Sequence, residues 1–219
     1  AYELLRRRVP LIVVCDDGRD TDYSFEDLAN LVRLARTDFN AEITFFTQEQ
    51  IDQHVPKHLR SCIGTYEQLC PAGPDESVAR SRVGDGEKRS RVHATLASVC
   101  YLDASNTCAP DATPASIILF IKPSLTGDEP LDVLQYRHTH GDFPQESTMD
   151  QYFDEAQWES YRKLGEHIGR ALFDPSPRSL SAPEAEYWTP RELSVGKILA
   201  RWEADSVPPP GEPGRPVHP

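Results

Sequence analysis

Five apolar residues, LIVVC at 11–15, stand between Pro10 and the acidic run DDGRDTD at 16–22, and they restrict what the chain can become. Leu, Ile and Val in succession, bounded by Pro10 and Gly18, predict a β-strand buried on both faces, the kind found inside a parallel sheet covered by helices. In open α/β sheets, ligands bind outside the carboxyl ends of such strands. Asp16 and Asp17, at the exit of this strand, are therefore candidate pocket residues. Before the strand, YELLRRR at 2–8 reads as a helix that starts without a Ser, Thr, Asp or Asn cap. The expectation is the tail of a longer protein.

Residues 23–39 carry the clearest helical pattern. Ser24 is placed to cap it with Asp27 three residues on, Glu26 and Asp27 suit the positive N-terminal dipole, and Leu28, Leu31, Val32, Ala35 and Phe39 share one face. Residues 41–46 alternate and are rich in β-branched and aromatic side chains, which predicts a second strand, parallel to the first as in a βαβ unit. Short helices are expected at 48–53 and 58–69. Pro71, Gly73, Pro74 and the polar run 84–91 predict an exposed loop insertion over about 70–91. Residues 93–102 and 115–121 read as strands of an antiparallel hairpin, added to the edge of the parallel sheet or forming a flap beside it. A short helix at 131–136 and a long one at 150–172 follow, the latter capped by Thr148 and lined by Phe153, Ala156, Tyr161, Leu164 and Ile168. Proline then dominates; residues 188–202 offer one more helix, and the tail 174–219 is expected to be largely disordered. The expected architecture is α/β: one domain over 1–173, a parallel sheet flanked by helices, with an added antiparallel hairpin.

Charge and motif content narrow the function. With 23 basic against 35 acidic residues the net charge is −12, which disfavours nucleic acid as a partner because phosphate binding needs a basic surface. No apolar run nears the roughly 20 residues of a membrane helix, and no secretory pattern opens the sequence; a cytoplasmic or peripherally membrane-associated location is the expectation. Five cysteines, an odd number in a chain of 219 residues, point to reduced thiols rather than a disulfide framework. Cys62/Cys70 and Cys100/Cys108 are each eight apart, wider than the two to four intervening residues that structural zinc prefers. There is no GxSxG, P-loop, GxGxxG or HExxH. Pro56 breaks the helix that would align His54 with His58, and the acidic run lacks the glycine and alternating ligands of an EF-hand. His138 and His140, two apart, would share a face in extended chain near Asp142 and Glu146, a candidate general base. Lys122, at the exit of a strand, suits a substrate phosphate or carboxylate; snorkelling out of the sheet edge is the expectation.

YELLRRR, then a strand ending in DDGRD, then DYSFEDLANLVRLARTDF resembles the segment that follows the aspartate-bearing Asp-Gly-Gly motif in bacterial patatin-like phospholipases. FIKPSLTGDEP and DFPQESTMDQYFDEAQWESYRKLGEHIG resemble the C-terminal part of large members of that family. The likeness runs in matching order over residues 2–173, apart from 70–91. It implies a patatin-like three-layer fold, incomplete here, and a lipid acyl hydrolase working with a serine and aspartate dyad, an oxyanion hole of glycine amides and no metal or other cofactor. Phospholipids or other lipid esters would be its substrates, reached at a membrane surface through an N-terminal half. The nucleophile elbow and the Asp-Gly-Gly motif would both precede Ala1, and Asp17-Gly18 does not replace the latter, being followed by Arg19. No residue here is then catalytic, and the chain is scaffold. Two other classes stand beside this reading: a non-catalytic binding or regulatory module derived from such a domain, and a metal-dependent enzyme using the acidic loop with His138 and His140.

Overall fold

The most continuously apolar segment of the chain, SIILFI, takes the middle of the sheet. In the computed structural model, which describes residues 1–71, 89–102, 107–108, 115–147, 149 and 151–173, the strands are β1 (Leu11–Cys15), β2 (Ala41–Phe45), β3 (Ile63–Gly64), β4 (Ala94–Tyr101) and β5 (Ser116–Ile121). The helices are α1 (Tyr2–Arg6), α2 (Glu26–Phe39), α3 (Gln48–His54), α4 (Tyr66–Leu69), α5 (Leu131–Thr139) and α6 (Glu155–Phe173). The strand order is β1-β5-β4-β2, with β3 also against β4. β1 runs parallel to β5, with Leu11 opposite Ile117 and Cys15 opposite Ile121. β5 and β4 are antiparallel, as are β4 and β2, while β3 lies parallel to the first residues of β4.

The layers follow from the period of two along β5. Ile117, Leu119 and Ile121 pack with Ile51 of α3, Val133 and Tyr136 of α5, and Leu164, Ile168 and Leu172 of α6. Ile118 and Phe120 point the other way, to Leu5 of α1 and Leu28, Leu31 and Ala35 of α2. Each such aliphatic side chain contributes about 1.5–3 kcal/mol when fully buried. Both faces of the sheet are thus helix-covered, and the architecture is a mixed α/β open sheet.

Several expectations are corrected. β1 is not buried on both faces; it is an edge strand, with Ile12 buried and Val13 half exposed. β1 and β2, though linked by α2, are not neighbours, because β5 and β4 lie between them. β4 and β5 do pair antiparallel, but in the centre of the sheet rather than as an addition to its edge. Ser24 does not cap α2: Phe25 holds that position at φ +53°, and the Asp20 carboxylate accepts the Ser24 and Phe25 N–H groups, each at 2.8 Å. Burial of the Phe25 ring against Tyr66 and Phe120 offsets the cost of its left-handed backbone.

The segment 58–69 is not one helix. A 3₁₀ turn at Lys57–Leu59, β3 and α4 replace it, and Gly64 allows the close approach this needs, since a Cβ there would come within 2.9 Å of Val92 Cγ1. α6 starts later than predicted because Asp154 accepts the Gln157 N–H at 2.7 Å and so begins the helix itself. Phe153 then falls outside the helix, half exposed, and Ser160, Leu164, Ile168 and Leu172 form the buried stripe. Thr148, the segment 188–202 and the tail lie outside the described residues. Cys100 at the end of β4 is bridged to Cys108, which corrects the expectation of reduced thiols; Cys15, Cys62 and Cys70 are not disulfide-bonded. Among the described residues no helix is long and apolar enough to cross a membrane.

Candidate functional site

Parallel pairing brings the carboxyl ends of β1 and β5 to the same end of the sheet, and antiparallel pairing brings the start of β4 there too. The Asp16 N–H donates to the Ile121 carbonyl at 2.9 Å, and the Lys122 N–H to that of His93 at 3.0 Å. Backbone pairing therefore fixes Asp16, Lys122 and His93 side by side.

Lys122 does not snorkel. Its side chain is fully buried, and its Nζ donates to Asp16 Oδ2 and to the Gly18 carbonyl, both at 3.1 Å. The other Asp16 oxygen accepts the Gly18 N–H at 3.1 Å, so the acidic loop folds back over the ammonium. A buried ammonium needs such compensation, since its desolvation costs several kcal/mol. Asp17 stays beside this pair without joining it, and burial raises its carboxyl above the ordinary range.

Below Lys122 the chain makes a tight turn. Glu129 is buried and accepts the Thr126 N–H at 2.5 Å and the Gly127 N–H at 2.8 Å. Gly127 has φ +97°, a backbone conformation that favours glycine, and the Arg89 guanidinium lies against it. The turn holds Asp128 toward α6, where the His167 Nε2 donates to Asp128 Oδ1 at 3.1 Å. That bond with His167 keeps the Asp128 carboxyl well below the usual range.

His93 completes the group. It is 2 % exposed, its ring lies edge-on to that of His167 with centroids 5.8 Å apart, and burial lowers its pKa so that the neutral imidazole is favoured. Ser124 Oγ is 3.4 Å from His93 Nδ1 and 3.2 Å from the Val92 carbonyl. With its single proton given to the nearer carbonyl, the Ser124 hydroxyl accepts from Nδ1–H, and the lone pair of Nε2 faces inward. Thr126 Oγ1 lies 3.4 Å from that nitrogen, 2.7 Å from Asp128 Oδ1 and 3.1 Å from Glu129 Oε1. One hydroxyl proton thus faces three acceptors. One ligand atom from each of His93, Asp128, Glu129 and His167 lies within 4.8 Å of all the others.

Beside this end of the sheet a polar cleft of about 390 Å³ is lined by Thr21, Asp22, Tyr23, Ser90, Arg137 and Gln145, among others. Burial pushes the Tyr23 hydroxyl up to about 12. Arg137 donates to the Gly141 and Phe143 carbonyls, fixing the turn into the cis Phe143-Pro144 bond.

The sequence-derived candidates divide. Asp16, Asp17 and Lys122 meet at the strand ends. His138 and His140 are not in extended chain; both are exposed at the end of α5, where His140 stacks on the Tyr136 ring with centroids 3.9 Å apart. The acidic loop does approach the segment after them, where Arg19 pairs with Asp142 at 3.9 Å and Thr21 and Asp22 share a cleft with Gly141 and Asp142. The cluster of His93, Asp128, Glu129 and His167 was not foreseen, because its members come from three segments with no ligand-like spacing. The signal that pointed toward it is the turn SLTGDEP and the helix QWESYRKLGEHIG, which hold three of the four. Comparison of the chain with protein-family models, with curated proteins and with solved structures finds no match.

Proposed function

We propose that the chain is the C-terminal scaffold of a serine/aspartate-dyad lipid acyl hydrolase of the patatin-like kind, with both dyad residues supplied by sequence upstream of Ala1. The observation that supports this reading is the convergence of the segments that carry the resemblance. Lys122 of FIKPSLTGDEP binds Asp16 and Gly18 of DDGRD. Gln145 of DFPQEST donates to the Pro123 carbonyl at 2.6 Å, and Gln157 donates to Glu146 at 3.1 Å. His167, near the end of the third segment, reaches Asp128. Residues scattered over 150 positions meet at the carboxyl ends of β1 and β5, the place where an open sheet presents its ligand site. Among the described residues nothing pairs with the outer edge of β1, and further strands of such a sheet would add there.

In this reading the upstream serine attacks the ester carbonyl of a phospholipid or related lipid. The upstream aspartate takes the hydroxyl proton, the alcohol leaves, and water releases the acyl group from the serine. The residues of this chain hold the loops around that site, and the upstream half meets the lipid or membrane surface.

The test is expression of the reading frame extended upstream of the Ala1 codon, beside the 219-residue chain alone, with p-nitrophenyl esters and phospholipid vesicles as substrates. The extended protein is expected to carry GxSxG and Asp-Gly-Gly, to turn over ester, and to lose turnover when the GxSxG serine becomes alanine. A frame without those motifs overturns the reading in favour of a binding module. Turnover by the isolated chain overturns its role as scaffold.

A further inference from the structure

We propose that His93, Asp128, Glu129 and His167 form a binding site for one zinc ion, which clamps α6 to the turn after β5. The donor set favours this. Two imidazole nitrogens and two carboxylates, one from each residue, make a four-coordinate N₂O₂ shell, whereas magnesium and calcium take oxygen-only shells of six or more. Tetrahedral zinc at about 2.0–2.1 Å from each ligand puts donors roughly 3.3 Å apart. The donor atoms here lie within 4.8 Å of one another, and His167 Nε2 and Asp128 Oδ1 are already at 3.1 Å. Small side-chain rotations close the shell.

The surroundings are those of a built site. The inward His93 Nε2 lone pair, an Asp128 oxygen and a Glu129 oxygen compete for the one Thr126 hydroxyl proton; zinc would take the place between them, with the His167 ring proton that now faces Asp128 moved to Nδ1 so that Nε2 can ligate. Metal-binding imidazoles usually give their second nitrogen to a fixed acceptor; the Ser124 hydroxyl, itself tied to the Val92 carbonyl, provides this for His93. Glu129 is held by two backbone N–H groups, which leaves it lone pairs for a further bond. The ligands come from the entry to β4, the turn after β5 and α6. Closure of the shell therefore ties a helix with many solvent-facing residues to the central strands. Nothing in this depends on the acyl-hydrolase reading.

The experiment uses the tag-free 219-residue chain, stripped with chelator. Cobalt(II) is titrated as a spectroscopic probe, zinc then displaces it, and thermal unfolding is followed with zinc, magnesium or calcium. The expected result is one equivalent of cobalt with the intense visible bands of a tetrahedral site, displacement by zinc, and a Tm rise of roughly 5–10 °C at zinc near a hundred times its Kd. Magnesium and calcium should give no rise. Asp128→Asn, at an exposed side chain, and His167→Gln, at a side chain 9 % exposed, should each weaken zinc binding roughly 100-fold or more while Tm in chelator stays within a few degrees. His138→Ala with His140→Ala should leave binding unchanged. Absence of both the cobalt spectrum and the Tm rise overturns the proposal. So does undiminished binding in His167→Gln and Asp128→Asn, or its loss in the His138/His140 variant.

Discussion

Lys122→Met removes an ammonium and keeps most of its stem, so its cost reports the loss of its bonds to Asp16 and to the Gly18 carbonyl, and a cycle with Asp16→Asn separates the charge pairing. At 3.1 Å and an effective dielectric of 20, the attraction is about 5 kcal/mol. Desolvation of the fully buried ammonium and of a carboxylate only 12 % exposed offsets much of that, so the net worth of the pair is far smaller. Breaking it from one side is different. Asp16 would keep its desolvation cost and lose its compensation, which costs about 3–5 kcal/mol, or a fall in Tm of roughly 10 °C for a domain of this size. Asp16→Asn should cost a similar amount by stranding the ammonium. The double variant strands neither charge, so its loss should fall short of the sum by about 2 kcal/mol or more. Urea unfolding followed by circular dichroism, with equal slopes for all four proteins, measures this cycle. Single variants that each cost under about 1 kcal/mol, or that add within about 0.5 kcal/mol, would refute the placement of Lys122 as a buried partner of Asp16.

Three further outcomes are expected. Alkylation of the unfolded, unreduced protein should label three of the five cysteines, and reduction should expose the other two and cost about 2–3 kcal/mol, given the short loop closed between Cys100 and Cys108; mass spectrometry and urea melts read both. Asn40 ends α2 at φ +50°, so Asn40→Ala should lose about 1 kcal/mol by thermal melting while Asn40→Gly stays near neutral. Ile118→Ala, at a position 1 % exposed, should lose about 2–5 kcal/mol, against about 0.5 kcal/mol or less for Val13→Lys on the exposed edge; equal losses in urea would contradict the sheet order.

Local pattern was legible, and partnership was not. The stripe of Leu28, Leu31 and Ala35 is buried where its period placed it, because one helical face needs no knowledge of the rest of the chain. β1 was misread as interior for the opposite reason. An apolar run reports affinity for a sheet, whereas its place there depends on which strand lies beside it, here β5, about a hundred residues later. The same distance hid the burial of Lys122, whose partner is 106 positions away; a lysine after a strand looks like a surface residue until that partner is known. Asp154 shows a smaller failure, where two acceptors stood near one helix start and the one nearer the buried stripe prevailed. The four-residue cluster is legible only after β4, β5 and α6 are assembled, since no two of its histidines share a segment.

The register of Leu11 with Ile117 also sets an order in time. During synthesis the edge of β1 that pairs with β5 stays without its neighbour until residue 121 has been made, on the order of 5–20 s after residue 15 at ordinary elongation rates. Closing a loop of that length carries an entropic cost before any contact repays it, which slows refolding relative to chains of local pairing. For that interval LIVVC is an apolar strand whose β5-side edge is open to wrong pairing, which makes it a segment for a chaperone to cover.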